Sequence, residues 1–199
     1  MSEGTYILTH DVGTTSNKTC LYRLGEGIEL VDSALADYAL YTTPEGGAEQ
    51  DAHDWWSAVC KATREVIGNR IDPAQIRGMA FCAQMQAFVP VDAQGEVLRR
   101  PMIYMDQRST AQMERGLQHG FPRIEGWNAY KTLRSLQITG GLSASVKDPV
   151  WKYLWMRDNE PRLFAQLYKW LDVNDYLILR STGVFSMGVD SANVTFMCD

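Results

Sequence analysis

The chain has 199 residues, 45% of them hydrophobic, with 19 Lys and Arg against 24 Asp and Glu and a formal charge of −5. That composition suits one soluble globular domain, and a pI near 5.2 excludes the basic surface, with a domain pI above about 9, that binding to nucleic acid uses. No apolar run approaches the roughly 20 residues that span a bilayer, and Met1-Ser2-Glu3-Gly4-Thr5 lacks a secretory signal's basic and apolar regions, so a cytoplasmic protein without a membrane partner is expected.

The chain opens with Tyr6 to Asp11, a β-rich run ended by Gly13, and Lys18 to Arg23 follows after only a few turn residues. A third extended stretch, Ile28 to Tyr38, makes the start read as three antiparallel strands, broken by Thr43-Pro44-Glu45-Gly46-Gly47. Asp51 lies three residues before Asp54 in a capping-type arrangement, and Trp55, Val59, Ala62 and Val66 recur at helical spacing until Gly68-Asn69.

Ile76 to Cys82 has the length and flanks of a buried parallel strand, and Phe88 to Val91 runs into a turn at Asp92-Ala93-Gln94-Gly95. Pro101 to Met105 is a further strand-like run, and Ser109 with Gln112 marks a helix start. Asp148-Pro149 opens a helix over Val150 to Asn159, and another covers Val173 to Arg180, ending at Gly183. Strands first, then strands alternating with helices, predict a mixed sheet covered by helices.

The apolar tail from Asn193 to Cys198, before Asp199, implies either that it packs back on the core or that the sequence was cut within a larger protein. Cys20, Cys60, Cys82 and Cys198 are scattered without a C-x-x-C pair and read as buried free thiols. His10, His53 and His119 are isolated, so no transition-metal site is expected.

Four clusters carry chemistry. Asp11-Val12-Gly13-Thr14-Thr15-Ser16 sits in the turn between the first two strands, where Gly13 allows close approach, backbone N–H groups can cradle phosphate oxygens, and Thr14, Thr15 and Ser16 add hydroxyls. Asp11 suits a hydrated Mg²⁺ beside those phosphates. A strand follows and no Gly-Lys-Ser/Thr is present, so this is not a P-loop; the same residues also suit an ordinary hairpin turn.

The second cluster, Gly46 to Asp51 with Trp55-Trp56, also reads as a turn, a cap and two apolar helix residues. The third, Cys82-Ala83-Gln84-Met85-Gln86, ends a strand, where open α/β sheets bind ligands and amides can meet hydroxyls. In the fourth, Tyr104 to Arg108, Asp106 and Arg108 suit either a site or a structural pair.

In this order the clusters resemble the FGGY family of carbohydrate kinases. The phosphate turn looks like its first phosphate motif, Glu49-Gln50-Asp51 with Trp55-Trp56 like E-Q-D-P-x-x-W-W, Ala83 to Gln86 like its G-Q-M-H or N-Q-R-E turn, and Tyr104 to Arg108 like W-x-D-x-R. Ser145 to Asp148 through Trp155 and Glu160-Pro161, and Asp175-Tyr176-Leu177 with Thr182-Gly183, extend the similarity over nearly the whole chain. Gln86 stands where the family usually has His or Glu, Tyr104 replaces Trp, and Ala83 replaces Gly or Asn, which leaves the acceptor sugar open.

The resemblance implies an α/β fold of the actin and hexokinase (ribonuclease H-like) type, with a mixed five-stranded sheet flanked by helices. It implies ATP and Mg²⁺ as cofactors, with Asp11, Gly13, Thr14, Thr15 and Ser16 at the phosphates and metal. Gln84, Met85, Gln86, Asp106 and Arg108 would position a small sugar or polyol. Family members are much longer and carry the general base downstream, so residues 1–199 read as most of an N-terminal domain with no catalytic base and little activity alone. Its own C-terminal kinase lobe is then an expected partner, and a homodimer stays open. A non-catalytic actin-type nucleotide switch and a sugar-binding regulatory protein remain alternatives.

Overall fold

The computed structural model describes residues 4–68 and 71–197. Strands β1 (Thr5–Val12), β2 (Ser16–Leu24) and β3 (Ile28–Asp37) form the antiparallel meander. Two short strands, β4 (Tyr41–Thr42) and β5 (Ala48–Glu49), pair before helix α1 (Ala52–Ile67), and β6 (Ile76–Ala83) then returns parallel to β1. The main sheet has the order β3-β2-β1-β6, four strands where five were expected. The run at Phe88 to Val91 is not part of it. Its strand β7 (Val89–Val91) pairs instead with a later strand, β10 (Lys169–Leu171), after the small hairpin of β8 (Arg123–Ile124) and β9 (Trp127–Asn128).

Alternation along β1 buries Tyr6, Leu8, His10 and Val12 on one face, and α1 covers that face. The helix forms as its spacing predicts. Asp51 caps it by accepting from the His53 N–H at 2.9 Å, an exchange worth about 1 kcal/mol, and Gly68 ends it with φ of 52°. Its buried stripe of Trp55, Ala58, Val59, Ala62 and Val66 sets the distance between helix and sheet. The expected stop at Asn69 lies outside the described residues.

Several expectations need correction. The strand at Ile76 to Cys82 exists and is parallel, but it is an edge strand with Arg77 to Ala80 exposed, because β1 is its only strand neighbour among the described residues. Pro101 to Met105 is not a strand. Met102 makes single bridges to Phe88 and Glu49, and the chain turns at once as the Asp106 N–H donates to the Ile103 carbonyl.

Ser109 does not close a capping box on α2 (Thr110–Met113): its hydroxyl donates to the Val146 carbonyl, and Gln112 reaches Asp158. Among the cysteines, Cys20 is buried but Cys82 is exposed; Cys198 lies outside the described residues.

After α2 comes a π-helical turn at Glu114–Gln118, then helix α3 (Ala129–Thr139), which begins at the Asn128 cap and was not legible in the sequence. Helices α4 (Pro149–Asn159), α5 (Pro161–Phe164), α6 (Val173–Thr182) and α7 (Val189–Val194) complete the chain. The start of α6 carries a full capping box between Asp172 and Asp175. The tail packs back through the Phe196 ring, which lies against Gly141. No helix among the described residues is long and apolar enough to cross a membrane.

Candidate functional site: a phosphate hairpin beside a strand-end turn

The C-terminal ends of β1 and β6, neighbours in the sheet, carry the first and third clusters side by side. In the hairpin, the Gly13 N–H closes the loop on the Ser16 carbonyl at 3.0 Å. All four loop carbonyls turn toward the protein. The Tyr38 hydroxyl donates to the Gly13 oxygen at 2.6 Å and lies 3.0 Å from that of Ser16; the Tyr38 N–H reaches the Thr15 oxygen at 3.1 Å. The Thr14 oxygen accepts from Gln50 Nε2 at 2.7 Å.

With the carbonyls occupied, the Thr14 and Thr15 N–H groups have no acceptor among the described residues, and they make a donor pair of the kind that binds oxyanions. Burial, and secondarily the Asp11 charge, push the Tyr38 phenol above its usual value, which keeps it protonated as a donor.

Nothing in the backbone conformation requires glycine at position 13. Gly13 does not adopt a left-handed conformation, and a Cβ there would meet only the Ser16 carbonyl at 3.5 Å, an ordinary contact. Any demand for glycine therefore comes from outside the fold, from what approaches the hairpin. Asp11 is exposed at the end of β1, opposite Lys18 across the ladder. No cluster of three or more His, Cys, Asp or Glu side chains suited to a metal occurs among the described residues. A single exposed carboxylate beside two free amides fits Mg²⁺ held mostly by water and phosphate oxygens.

The turn after β6 is held by charge. Gln86 has φ of 63°, a left-handed conformation that costs a residue with a Cβ roughly 1–2 kcal/mol. Asp172 accepts from the Gln86 N–H at 2.9 Å and the Ala87 N–H at 3.1 Å, while the fully buried Lys152 donates to the Gln86 carbonyl at 2.5 Å. Asp148, expected to cap α4, instead accepts from Gln86 Nε2 at 3.1 Å and from Ser143 and Ser145. A carboxylate only accepts, so Gln86 must turn its NH₂ to Asp148, and Oε1 is its free acceptor.

Burial lowers the Lys152 pKa to about 8 against the pull of Asp106, Asp172 and Asp148, and burial raises Asp172 to about 6 against its backbone donors. Met85, half exposed, stands at the top of the turn.

The remaining predicted residues fall elsewhere. Asp106 is fully buried, and its oxygens are taken by the Ala48 N–H at 2.8 Å and by the backbone and guanidinium of Arg108. Arg108 also binds Glu49 at 2.5 Å and lies 4.6 Å over the Trp155 ring. Burial opposes its charge, and the hydrogen bonds it donates to Asp106 and Glu49 more than offset it, so its pKa sits above the usual value. The pair therefore braces the loop.

Gln84 is likewise engaged, donating through Nε2 to Gln50 Oε1 at 2.6 Å. Sequence reasoning missed Tyr38, Lys152 and Asp172, and it placed Gln50 and Tyr104 in clusters without giving either a role. Lys152 carried a signal, since it lies four residues before the buried Met156 on the core stripe of α4. Tyr104 places its hydroxyl 3.3 Å from Thr14 Oγ1.

The sheet, the hairpin and the strand-end turn are together those of a sugar kinase lobe in fold. Two solved structures from Lactobacillus acidophilus, a gluconate kinase and a ligand-bound xylulose kinase, superpose with TM-scores of 0.80 and 0.79. Each is 24% identical, and the matches cover 98% and 97% of this chain and 36% of each of those chains. The model for the FGGY family of carbohydrate kinases, N-terminal domain, matches residues 6–199, and the chain belongs to that family.

Among curated relatives, the xylulose kinase of Escherichia coli (strain K12) is 30% identical over 190 residues and that of Bacillus subtilis (strain 168) 24% over 193. The matches cover 95% and 96% of this chain and 36% of each relative, so the chain spans a little over a third of their length.

Proposed function

We propose that this chain is the acceptor-binding lobe of a two-lobed kinase that transfers the γ-phosphoryl group of ATP to a hydroxyl of a small sugar or polyol. D-xylulose is the first candidate acceptor, because several relatives are named xylulose kinases. The observation that supports the reading is the parallel pairing of β1 and β6, which brings the hairpin, whose Thr14 and Thr15 N–H groups have no acceptor among the described residues, to the same end of the sheet as the polar turn at Gln86. Phosphoryl transfer asks the protein mainly for position and charge stabilisation, and this arrangement addresses both.

Thr14 and Thr15 would donate N–H groups to phosphate oxygens, with the hydroxyls of Thr14, Thr15 and Ser16 alongside. Asp11 would orient the water shell of Mg²⁺, which when bound neutralises phosphate charge. Met85, Gln86 and Tyr104 would contact the acceptor, with Gln86 Oε1 accepting from a sugar hydroxyl. Asp106, Arg108 and Gln84 would act by bracing the two loops. The base for the acceptor hydroxyl, the adenine contacts and the closure that keeps water from the phosphate would come from a second lobe outside residues 1–199. The switch and regulatory alternatives gain nothing from the relatives, which are named as kinases.

The test is a coupled ADP-release assay with D-xylulose, gluconate and glycerol, run on the two-lobed enzyme and on residues 1–199 alone. Acceptor-dependent turnover by the first and little or none by the second is expected. Robust turnover by residues 1–199 alone overturns the division of labour, and no acceptor-dependent turnover by the two-lobed enzyme overturns the function.

A further inference from the structure

Gln50 lies between the two halves of the site and touches neither ligand position. Its side chain is fully buried, and every polar atom of its amide is used. Oε1 accepts from the Trp55 indole N–H at 3.1 Å and from Gln84 Nε2 at 2.6 Å; Nε2 donates to the Thr14 carbonyl at 2.7 Å and lies 3.5 Å from that of Ala39. Its own N–H is tied to the Pro101 carbonyl.

An amide can be built either way round, but these partners decide the matter: an indole N–H only donates and a backbone carbonyl only accepts. One orientation satisfies both, and the other would set donor against donor and acceptor against acceptor. Trp55, packed edge-on against Tyr176 in the core beneath α1, therefore fixes which end of Gln50 meets the hairpin.

Resting on the kinase reading above, we infer that Gln50 is a positioning residue for the phosphate end of the site. By drawing the Thr14 carbonyl into the protein it turns the Thr15 N–H, on the same peptide plane, outward beside that of Thr14, whose plane Tyr38 holds through the Gly13 carbonyl. The hairpin tip has little else to hold this peptide plane. Tyr38 secures the carbonyls of Gly13, Thr15 and Ser16, and Gln50 alone holds that of Thr14 among the described residues. Without the donated bond, the Thr14–Thr15 peptide is free to rotate its oxygen toward the incoming phosphate, which would exchange an attractive dipole for a repulsive one. The sugar turn depends on it less, since Asp172, Lys152 and Asp148 hold Gln86 independently.

Gln50→Glu isolates the bond. It keeps the size and the acceptor that Trp55 and Gln84 use, and as a carboxylate it has nothing to donate to the Thr14 oxygen. Protonation of the new carboxyl restores an O–H donor, and burial raises the pH at which that happens. Equilibrium binding of Mg·ADP and of D-xylulose to the two-lobed enzyme is measured by calorimetry between pH 5.5 and 8 for wild type, Gln50→Glu and Gln50→Leu. Thermal midpoints are recorded beside them. Taking the variant-to-wild-type ratio at each pH cancels the titration of groups the proteins share.

At pH 8 both variants are expected to bind Mg·ADP about tenfold more weakly, the worth of one buried hydrogen bond, with D-xylulose affinity within about twofold. The Gln50→Glu ratio should recover as pH falls, and the Gln50→Leu ratio should not. Equal losses for both ligands, unchanged Mg·ADP binding, or a Gln50→Glu ratio flat with pH would overturn the inference and leave the kinase reading standing. If Gln50→Leu fails to fold, Gln50→Glu alone decides by its pH trend. A wild-type enzyme that binds neither ligand overturns the kinase reading and the inference with it.

Discussion

The hairpin at Gly13 to Ser16 and the turn at Gln84 to Gln86 end adjacent strands, yet they are held by opposite means. The hairpin is fixed by neutral donors, a phenol and an amide, which occupy its carbonyls and leave N–H groups facing out. The turn is fixed by a buried lysine and two carboxylates, which hold a strained backbone and leave the Gln86 Oε1 acceptor free. A neutral clamp leaves the charge at the phosphate end to ligand and metal. A charged clamp can force an unfavourable φ, but it keeps ions out of water and so ties the turn to pH.

That contrast fixes the expected sizes of mutational effects. Asp172→Ala leaves three backbone N–H groups without their acceptor and removes one of the three carboxylate charges that favour Lys152, and a loss of about 3–5 kcal/mol is expected from urea unfolding of the 199-residue chain. Tyr38→Phe removes one neutral donor at the hairpin and should cost only about 1 kcal/mol in the same measurement. Similar losses would erase the distinction between the clamps.

Asp11→Asn, in the two-lobed enzyme, is expected to lower kcat by about 10²-fold while sugar KM changes little, as removal of one electrostatic contact in the transition state does. Near-normal turnover with Mg²⁺ would reduce Asp11 to a strand-end residue.

Gln86→Leu should weaken kcat/KM for the preferred sugar by about 1–3 kcal/mol, and by much less for an analogue lacking the hydroxyl that Gln86 Oε1 meets. Equal losses for the two substrates would place Gln86 outside the sugar site.

The smallest effect is in pH dependence. The folded Lys152 has a pKa of about 8, below its unfolded value of 10.5, so between those limits the unfolded chain binds more protons and this group's contribution to stability rises with pH, then is lost as pH falls through about 8. The slope is at most about 1.4 kcal/mol per pH unit for one proton, and Lys152→Met should flatten it. Asp172 acts the other way. Its pKa of about 6 lies above the unfolded 3.8, so its contribution falls as pH rises through that window. Identical slopes for wild type and Lys152→Met above pH 8 would mean that Lys152 does not titrate as its burial implies.

What the sequence disclosed follows the range of the forces involved. The β-rich run of Tyr6 to Asp11 and the i, i+4, i+7 stripe of α1 are local, and they located the start of the meander and the helix. Asp106 and Arg108 were legible as either a site or a structural pair, and the choice stayed open because whether a carboxylate faces a cleft or a backbone N–H depends on Ala48 and Glu49, almost sixty residues away. Still longer separations, 66 and 86 residues, hid Lys152 and Asp172, whose partner is Gln86. Asp148 read correctly as a helix boundary, but its carboxylate was claimed by Gln86, Ser143 and Ser145 in preference to the helix. The fourth-cluster strand failed because Pro101 lacks a donor and the turn at Asp106 begins before a ladder can form.

The most direct test of the account is to titrate the ¹⁵N-labelled 199-residue chain with inorganic phosphate and, separately, with D-xylulose, following backbone and side-chain amide shifts by NMR. Phosphate should move the Thr14 and Thr15 N–H resonances most, and D-xylulose should move those of Met85 and the Gln86 side chain. Phosphate shifts centred elsewhere, such as the N-terminus of α4, or D-xylulose shifts that leave the Gln84 to Gln86 turn untouched, would contradict it.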